Sequence, residues 1–297
     1  MRPRSKRSAV EAPDRPLVVA HRGASSTVAE HTLAAYVSAI DAGAEGLECD
    51  VRLTRDGHLV CVHDRTVNRT SDGSGVVSEL DLQRLEALNF TSWRTDLPGA
   101  ADELVSDSPY LAGVAPDLAE NGRVLILERL LELVADAPRP VRLLIETKHP
   151  TRYGGLVEKE LVELLGRFGW SGRPGPPLSL RQAPDMDSRV VVMSFAPTAL
   201  RRVKLLAPDV PTVLLLEWRI PGLRDGMLPA GVPIAGPGLH LLQADPEFVA
   251  RAHARGNRVF VWTVNEPSEI DFVRRLGVDT IITDRPAEVI AQLSGAR

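Results

Sequence analysis

Short apolar runs rich in β-branched residues alternate along this chain with longer segments of helical spacing, and this alternation constrains the fold more than any other feature. Such a pattern is typical of βα units, whose consecutive strands lie parallel in one sheet under a cover of helices. We predict strands at Leu17–His21, Leu47–Leu53, Arg142–Lys148, Val190–Phe195, Thr212–Glu217, Gly238–Leu242, Arg258–Val264 and Thr280–Thr283. Eight such units in 297 residues predict an α/β protein with one (β/α)8 TIM barrel, a fold that routinely takes about 250 residues.

The segment after the second strand departs from this alternation. Arg55-Asp56-Gly57 turns the chain into a further apolar run, Leu59–His63, which predicts a hairpin. Ser78–Leu88 has helical spacing behind a serine suited to cap it, and Asn89–Asn121 is rich in Pro, Gly, Asp and Ser. We interpret residues 65–123, approximately, as a small insertion near the mouth of the barrel.

The charge balance narrows the possible partners of the protein. Lys and Arg total 35 against 39 Asp and Glu, a formal net charge of −4, which gives no global reason to expect nucleic acid or an anionic membrane as partner. No stretch approaches the roughly 20 apolar residues of a transmembrane helix, so no stable membrane insertion is expected. A small molecule is the expected partner, and the oligomeric state stays open.

The N-terminus, residues 1–16, is cationic but lacks the apolar run that a secretory signal requires. We predict a disordered tail there and a single barrel domain over residues 17–297. The two cysteines, Cys49 and Cys61, cannot build a disulfide framework, which agrees with a reducing compartment. These features favour a cytoplasmic protein.

Two carboxylates occur one residue apart on the second predicted strand. Because side chains alternate along a strand, Glu48 and Asp50 point to one face and Cys49 to the other. Paired carboxylates inside a barrel are costly unless a cation neutralises them, and the hard ions Mg²⁺ and Ca²⁺ prefer oxygen ligands. The alternative is a pair of strand-end acids held by an arginine or by backbone amides.

Glu146 and Lys148 repeat this spacing on the strand that follows the insertion. The carboxyl ends of barrel strands meet at one face, which is the catalytic face of this fold. A third carboxylate converging there with Glu48 and Asp50 favours a metal site, because three acids overbalance one lysine. The alternative is an internal ion pair that holds the barrel mouth together.

Two histidines also end predicted strands. His21 ends the first strand and is followed by Arg22, and His63 ends the hairpin. Cleavage of a phosphodiester needs a base for the nucleophile and an acid for the leaving alkoxide, and imidazole titrates near neutral pH. Arg22 could clamp a phosphate oxygen, or it could form a surface salt bridge. Either histidine alone would more often be structural.

Taken together, these motifs resemble the glycerophosphodiester phosphodiesterase family in residue type and in order, from about Leu17 to Ala291. They are His21-Arg22-Gly23, Glu30–Ala35, Glu48–Val51, Asp56-Gly57, His63-Asp64, Asn68–Gly75, Glu146-Thr147-Lys148, Ser194-Phe195, Val261–Asn265 and Ile282–Pro286. Any one of these motifs is weak evidence, but so many in order are a specific signal.

The resemblance implies a (β/α)8 barrel with an insertion after the second strand, and one divalent cation, Mg²⁺ or Ca²⁺. It also implies roles for particular residues. These are metal ligands at Glu48, Asp50 and Glu146, a catalytic pair at His21 and His63, phosphate contacts at Arg22 and Lys148, and an aromatic pocket wall at Trp262.

Two positions depart from the family pattern. His31 occupies a helix-start position where the family usually has asparagine, which puts the hydrogen bonding around the metal site in question. Leu125-Ile126-Leu127 replaces a usual proline-threonine-leucine before the helix that follows the insertion, which affects packing more than chemistry.

The activity implied by the resemblance is metal-dependent hydrolysis of a glycerophosphodiester to glycerol 3-phosphate and an alcohol. A phospholipase D-like activity on lysophospholipids is a first alternative, because it would use the same site. A non-catalytic binding module on the same barrel is a second. A barrel isomerase or lyase with Lys148 as base is a third, and release of a phosphate monoester from a diester would separate it from the others.

Overall fold

The computed structural model describes residues 13–94, 122–151, 153–171, 184–218 and 226–295. Within these ranges the strands are β1 (Leu17–His21), β2 (Gly46–Leu53), β3 (Leu59–Cys61), β4 (Arg142–Thr147), β5 (Val190–Ser194), β6 (Thr212–Leu216), β7 (Ile234–Pro237), β8 (Arg258–Val261) and β9 (Thr280–Thr283). All pair in parallel except β3, which forms the expected hairpin with β2. Because β1 pairs with both β2 and β9, the sheet closes, and the predicted (β/α)8 barrel is confirmed.

Helices connect the parallel strands on the outside of the barrel. Those within the described ranges are α1 (Leu33–Asp41), α2 (Leu82–Glu86), α3 (Leu127–Ala135), α4 (Leu156–Arg167), α5 (Pro197–Leu206), α6 (Leu239–Ala244), α7 (Phe248–Ala254), α8 (Pro267–Leu276) and α9 (Pro286–Gly295). A short 3-10 helix, Val77–Glu79, precedes α2.

The barrel strands are apolar on both faces because both faces are covered. Val19, Leu144, Val213 and Phe260 belong to a cluster inside the barrel, where strands contribute side chains from every side. The opposite faces of the same strands pack against the helices in two larger clusters. Each strand of a parallel sheet buried in this way has a nearly continuous apolar sequence. This is why most of these strands could be located from sequence.

The helix predicted at Ser78–Leu88 is wrong in its start. Val77–Glu79 forms a 3-10 turn, and Leu80 is extended. The α-helix α2 begins only after Asp81, whose side chain accepts a hydrogen bond from Arg84 N at 3.3 Å. Both Ser78 and Asp81 are residue types that cap helices, and the sequence does not distinguish between them.

The strand predicted at Gly238–Leu242 is also wrong. The strand is β7, Ile234–Pro237, and Leu239 begins α6. The Gly236-Pro237 pair resembles a turn, but a Cβ on Gly236 would lie 2.8 Å from Val213 Cγ1, so the barrel needs glycine at that position. Gly and Pro in this strand therefore serve close packing rather than chain reversal.

The part of the predicted insertion that lies within the described residues packs on its own small core. Its buried members are Val60, Val62, Val67, Val77, Leu85, Phe90 and Val124. Residues 95–121 of the insertion and residues 1–12 of the predicted tail lie outside the described residues. Among the described helices, none has the length and apolar character needed to cross a bilayer.

Candidate active site

Three carboxylates converge at the C-terminal ends of β2 and β4. The register of these strands places Asp50 beside Glu146, and Glu48 lies two residues before Asp50 on the same face. One ligand atom of each lies within 4.8 Å of the others, and the three residues are 2%, 1% and 6% exposed for Glu48, Asp50 and Glu146. The strand alternation therefore brings together the acids singled out from the sequence.

Two cations contact this cluster. Lys148 Nζ lies 2.9 Å from Asp50 Oδ1 and 2.9 Å from Glu146 Oε1. Arg22 Nε lies 3.1 Å from Asp50 Oδ2, close enough for an ion pair although its N–H does not meet hydrogen-bond geometry. The internal ion pair considered as an alternative thus exists, but it leaves three carboxylates against two cations.

The protonation of the cluster reflects this imbalance. Burial and the charge of Asp50 raise the pKa of Glu146 to about 8, and the same two causes raise the pKa of Glu48 well above its usual range. Burial also opposes ionisation of Asp50, but Lys148, His31 and Arg22 hold its pKa well below its usual range. Further positive charge is therefore needed for all three to ionise, and an all-oxygen donor set fits a hard divalent cation.

His31 lies directly behind the cluster. Its Nε2 donates to Asp50 Oδ2 at 3.0 Å, and its Nδ1 lies 2.8 Å from the hydroxyl of Tyr36. That hydroxyl is also 3.1 Å from the carbonyl oxygen of Glu48. His31 has a φ of 59°, a left-handed conformation that asparagine adopts readily, so the departure from the family pattern preserves the backbone while adding a buried imidazole.

His21 is held by residues from the far end of the chain. Its Nδ1 donates to Asp284 Oδ1 at 2.7 Å, and Ser25 Oγ and Asn265 Nδ2 donate to the same carboxylate. Burial opposes ionisation of Asp284, but the hydrogen bonds from His21, Asn265 and Ser25 lower its pKa to about 2. The other ring nitrogen of His21, Nε2, lies 4.0 Å from Glu48 Oε2, beside the acidic cluster.

His63 is held by its sequence neighbour. Its Nδ1 donates to Asp64 Oδ1 at 2.7 Å, and Arg69 Nε donates to Asp64 Oδ2 at 2.7 Å. Arg69 also donates to both carboxylate oxygens of Glu30, at 2.9 and 2.7 Å. Glu30 in turn accepts from Arg22 Nη1 at 3.2 Å, so one network links the two histidine regions.

A cavity of 170 Å³ joins these groups, and we call it the catalytic cavity. His21, Arg22, Glu48, His63, Glu146, Lys148 and Trp262 line it, together with Met193, Phe195, Leu215, Glu217 and Ile282. Trp262 packs edge-on against Phe195 with ring centroids 5.6 Å apart, and its Nε1 donates to Gly236 O at 2.7 Å. Of the eight residues to which the resemblance gives a role, only Asp50 is not among the lining residues, because Lys148, Arg22 and His31 surround it.

Some residues of the site escaped the sequence argument. Asp284 directly follows β9, and its carboxylate binds His21. Asn265, Ser25 and Arg69 carried no signal of their own. Asn265 and Arg69 lie within motifs of the family resemblance, and Ser25 lies close to one. That position was the one indication in the sequence that they belong to the site.

Comparisons with known proteins agree with this geometry. The model of the glycerophosphoryl diester phosphodiesterase family matches residues 21–288. The chain is 44% identical over 282 residues to a probable glycerophosphodiester phosphodiesterase 1 of Mycobacterium tuberculosis, covering 95% of this chain and 94% of the relative. It is 31% identical to a glycerophosphodiester phosphodiesterase of Caldanaerobacter subterraneus, covering 92% and 96% respectively.

Solved structures show the same fold. A phosphodiesterase of Oleispira antarctica, in complex with the product sn-glycerol-3-phosphate, aligns with a TM-score of 0.74 at 22% identity, over 94% of this chain and 97% of that one. A glycerophosphoryl diester phosphodiesterase structure from Silicibacter pomeroyi aligns with a TM-score of 0.73 at 25% identity, over 97% and 95%. The chain belongs to the glycerophosphoryl diester phosphodiesterase family.

Proposed function

We propose that the protein hydrolyses glycerophosphodiesters to glycerol 3-phosphate and an alcohol, with His21 and His63 as its proton-transfer groups. One observation carries the assignment of these residues. Two histidines, each oriented by an aspartate, line the same 170 Å³ cavity as Glu48 and Glu146 of the buried carboxylate cluster. Family membership supports the reaction, and this geometry supports the residues.

The aspartates set the tautomers of the two histidines. Since Asp284 and Asp64 each accept from an Nδ1, both Nε2 atoms are left for the substrate. One imidazole then takes the proton of the attacking hydroxyl, and the other gives a proton to the departing alkoxide. The attacking group is water or the adjacent 2-hydroxyl of the glycerol, which would pass through a cyclic phosphate.

Arg22 and Lys148 would hold the phosphate. Both line the cavity, and both already contact Asp50, so their positions are fixed before substrate arrives. Trp262 and Phe195 form an apolar wall that would pack against the carbon skeleton of the substrate. Such preorganised cations stabilise developing charge without having to reorganise during the reaction.

Glu48, Asp50 and Glu146 would hold one divalent cation, Mg²⁺ or Ca²⁺. The cation would supply Lewis acidity to a phosphate oxygen and to the glycerol hydroxyl. A cation bound only by the folded chain also stabilises that chain, by about 2.7 kcal/mol at a concentration 100 times its dissociation constant. Metal binding can therefore be measured without turnover, as a rise in melting temperature.

The test is an assay of the purified protein on glycerophosphocholine, glycerophosphoethanolamine, glycerophosphoinositol and a lysophospholipid, with Mg²⁺, with Ca²⁺ and with chelator. We expect release of glycerol 3-phosphate that chelation abolishes. Glu48→Gln should lose both turnover and the metal-dependent rise in melting temperature, because a neutral isostere keeps the shape and removes the charge. Glu163→Gln, at an exposed carboxylate on α4, is the matched control and should keep both.

The same assay bears on the alternatives. Faster cleavage of the lysophospholipid than of any glycerophosphodiester would favour the phospholipase D-like reaction. Absence of turnover with intact metal binding would leave a binding module, or an isomerase or lyase that cleaves no diester. Turnover that survives exhaustive chelation would mean that the histidines act without a metal and that the proposed role of the carboxylates is wrong.

A further inference from the structure

A second and larger cavity adjoins the catalytic cavity. It measures 530 Å³ and is lined by Arg52, Arg65, Lys148, His149 and Tyr153 among others, and we call it the arginine cavity. Lys148 lines both cavities, so the two are neighbours at the barrel mouth. None of the roles assigned above uses the arginine cavity.

Arg52 fixes one wall of this cavity and touches the catalytic region at the same time. It lies on β2 two residues beyond Asp50 and therefore on the same face of the strand. Its Nε and Nη2 donate to the carbonyl oxygen of His63, at 3.0 and 2.7 Å. Its guanidinium is half-buried and has no carboxylate within 4 Å among the described residues.

Arg65 adds a second positive charge to the arginine cavity. Its side chain is exposed and makes no ion pair within the described part of the chain, while its carbonyl oxygen accepts from Val77 N at 3.0 Å and fixes the backbone. Lys148 differs from both arginines, because Asp50 and Glu146 neutralise it. Glu79 is the one acid that lines the arginine cavity within the described residues, and it is exposed.

Two guanidinium groups that form no ion pair with any described residue lie in one cavity, and this favours an anion. An anion between Arg52 and Arg65 would offset the repulsion between their two positive charges. The planar fork of arginine matches the oxygens of a phosphate, and the net charge of the whole chain, −4, shows that this positive charge is local.

We propose that the arginine cavity binds a phosphate monoester carried by the alcohol part of the diester, so that the enzyme favours diesters of phosphorylated alcohols. This specificity rests on the hydrolysis proposed above. A phosphate on the substrate fits better than a separate anion, because Lys148 lines both cavities and Arg52 binds the backbone of His63. The second phosphate would then lie on the leaving-alcohol side of the bond that is cleaved.

The experiment compares two diesters that differ only in the added phosphate, glycerophosphoinositol and glycerophosphoinositol 4-phosphate. For the full chain with its activating metal, we expect kcat/KM to be about tenfold or more higher for the phosphorylated diester. Charge-assisted hydrogen bonds to the added phosphate are strong enough to give a difference of this size. Arg65→Met should reduce this ratio by about tenfold, mainly through KM. Arg84→Met removes the same charge from α2, outside the cavity, and should leave the ratio as it is.

Three outcomes would overturn the proposal. If glycerophosphoinositol is hydrolysed but the ratio is near one, or is the same in Arg65→Met, the cavity does not select phosphate and the hydrolase function stands. If neither diester is hydrolysed, both proposals fail. If the ratio is near one and inorganic phosphate inhibits in a way that Arg65→Met abolishes, the cavity takes free phosphate instead of a substrate group.

Discussion

At the scale of single residues, His21 and His63 share one arrangement but differ in their surroundings. Burial lowers the pKa of His63 to about 4 against the charge of Asp50, and Lys148 and Arg22 lower it further. His63 is therefore neutral near pH 7 and able to accept a proton. We propose that His21, whose Nδ1 donates to Asp284, is the group that donates one.

Substitution of either histidine tests this division of labour. His21→Ala and His63→Ala should each lower kcat by about 10²–10⁴-fold, because each removes one proton-transfer group, while KM changes far less. A nitrophenyl diester needs no proton on its leaving group, so it should partly rescue His21→Ala alone. Kinetics on both substrates give the answer, and equal rescue of the two variants would contradict separate roles.

His31 offers a second prediction at this scale, because its imidazole fixes Asp50, a carboxylate of the proposed metal site. Removing such an outer contact typically lowers metal affinity by about 10–100-fold, so we expect His31→Ala to bind Mg²⁺ or Ca²⁺ more weakly by that factor. His31→Asn keeps the left-handed backbone and should lose less. Calorimetric titration of metal measures this, with the exposed His58→Ala as control.

An unchanged metal affinity in His31→Ala would mean that Lys148 and Arg22 alone hold Asp50 in place. The melting temperature of each variant without metal should be recorded beside the titration. A purely structural role for His31 would lower that temperature and leave the affinity of the folded protein unaltered.

At the scale of elements, the turn after β1 depends on one glycine. Gly23 has a φ of 87°, and a Cβ there would lie 2.6 Å from the backbone carbon of Ala35 in α1. We expect Gly23→Ala to lower the free energy of unfolding by more than about 3 kcal/mol, because it adds a backbone clash to strain of about 1–3 kcal/mol. Activity should fall as well, since this turn carries Arg22 and directly follows His21.

Gly57→Ala is the matched control for this prediction. Gly57 has a φ of 90°, but no atom lies within 4 Å of the position its Cβ would take. Gly57→Ala should therefore introduce the backbone strain of a positive φ but no clash with neighbouring atoms. Urea denaturation of both variants measures the difference, and equal losses of stability would show that α1 moves away from Gly23 at little cost.

The elements found from sequence were those whose physical cause is local. The strands are continuous apolar runs, and Thr32 caps α1 through its side chain, which accepts from Ala35 N at 3.2 Å. The strand β7 was misplaced because its glycine, Gly236, is required by close packing against Val213 on the neighbouring strand β6. That contact leaves no signal in the local sequence. Period-2 spacing likewise located the carboxylates, whereas the contact between His21 and Asp284 joins residues 263 positions apart and leaves no local pattern.

At the scale of the whole molecule, two half-buried acids, Glu30 and Asp284, tie stability to pH. Burial opposes ionisation of Glu30, but Arg69 and Arg22 lower its pKa to about 2, and the pKa of Asp284 also falls to about 2. Both values lie below those of an unfolded chain, so these groups stabilise the fold above about pH 4.5 and lose that effect as pH falls toward about 2. We expect the free energy of unfolding to decline across this window.

Glu30→Gln tests the contribution of one of these acids. This variant should be less stable than the parent at pH 5 and should show a shallower decline between pH 5 and pH 2, since one group no longer takes up a proton. Denaturant titrations across the window measure both effects. Parallel curves for the variant and the parent would exclude Glu30 as a source of the acid sensitivity, and Glu163→Gln again serves as the control.

The bond between His21 and Asp284 connects β1 to the end of β9, the first strand of the barrel to the last. A ribosome makes Asp284 263 residues after His21, so the histidine lacks this partner until the segment that follows β9 has been made. We therefore expect catalytic competence to appear only with that part of the chain rather than to accumulate during synthesis. In refolding experiments the rate at which turnover returns would accordingly report the rate at which the barrel closes, independently of any spectroscopic signal from the helices.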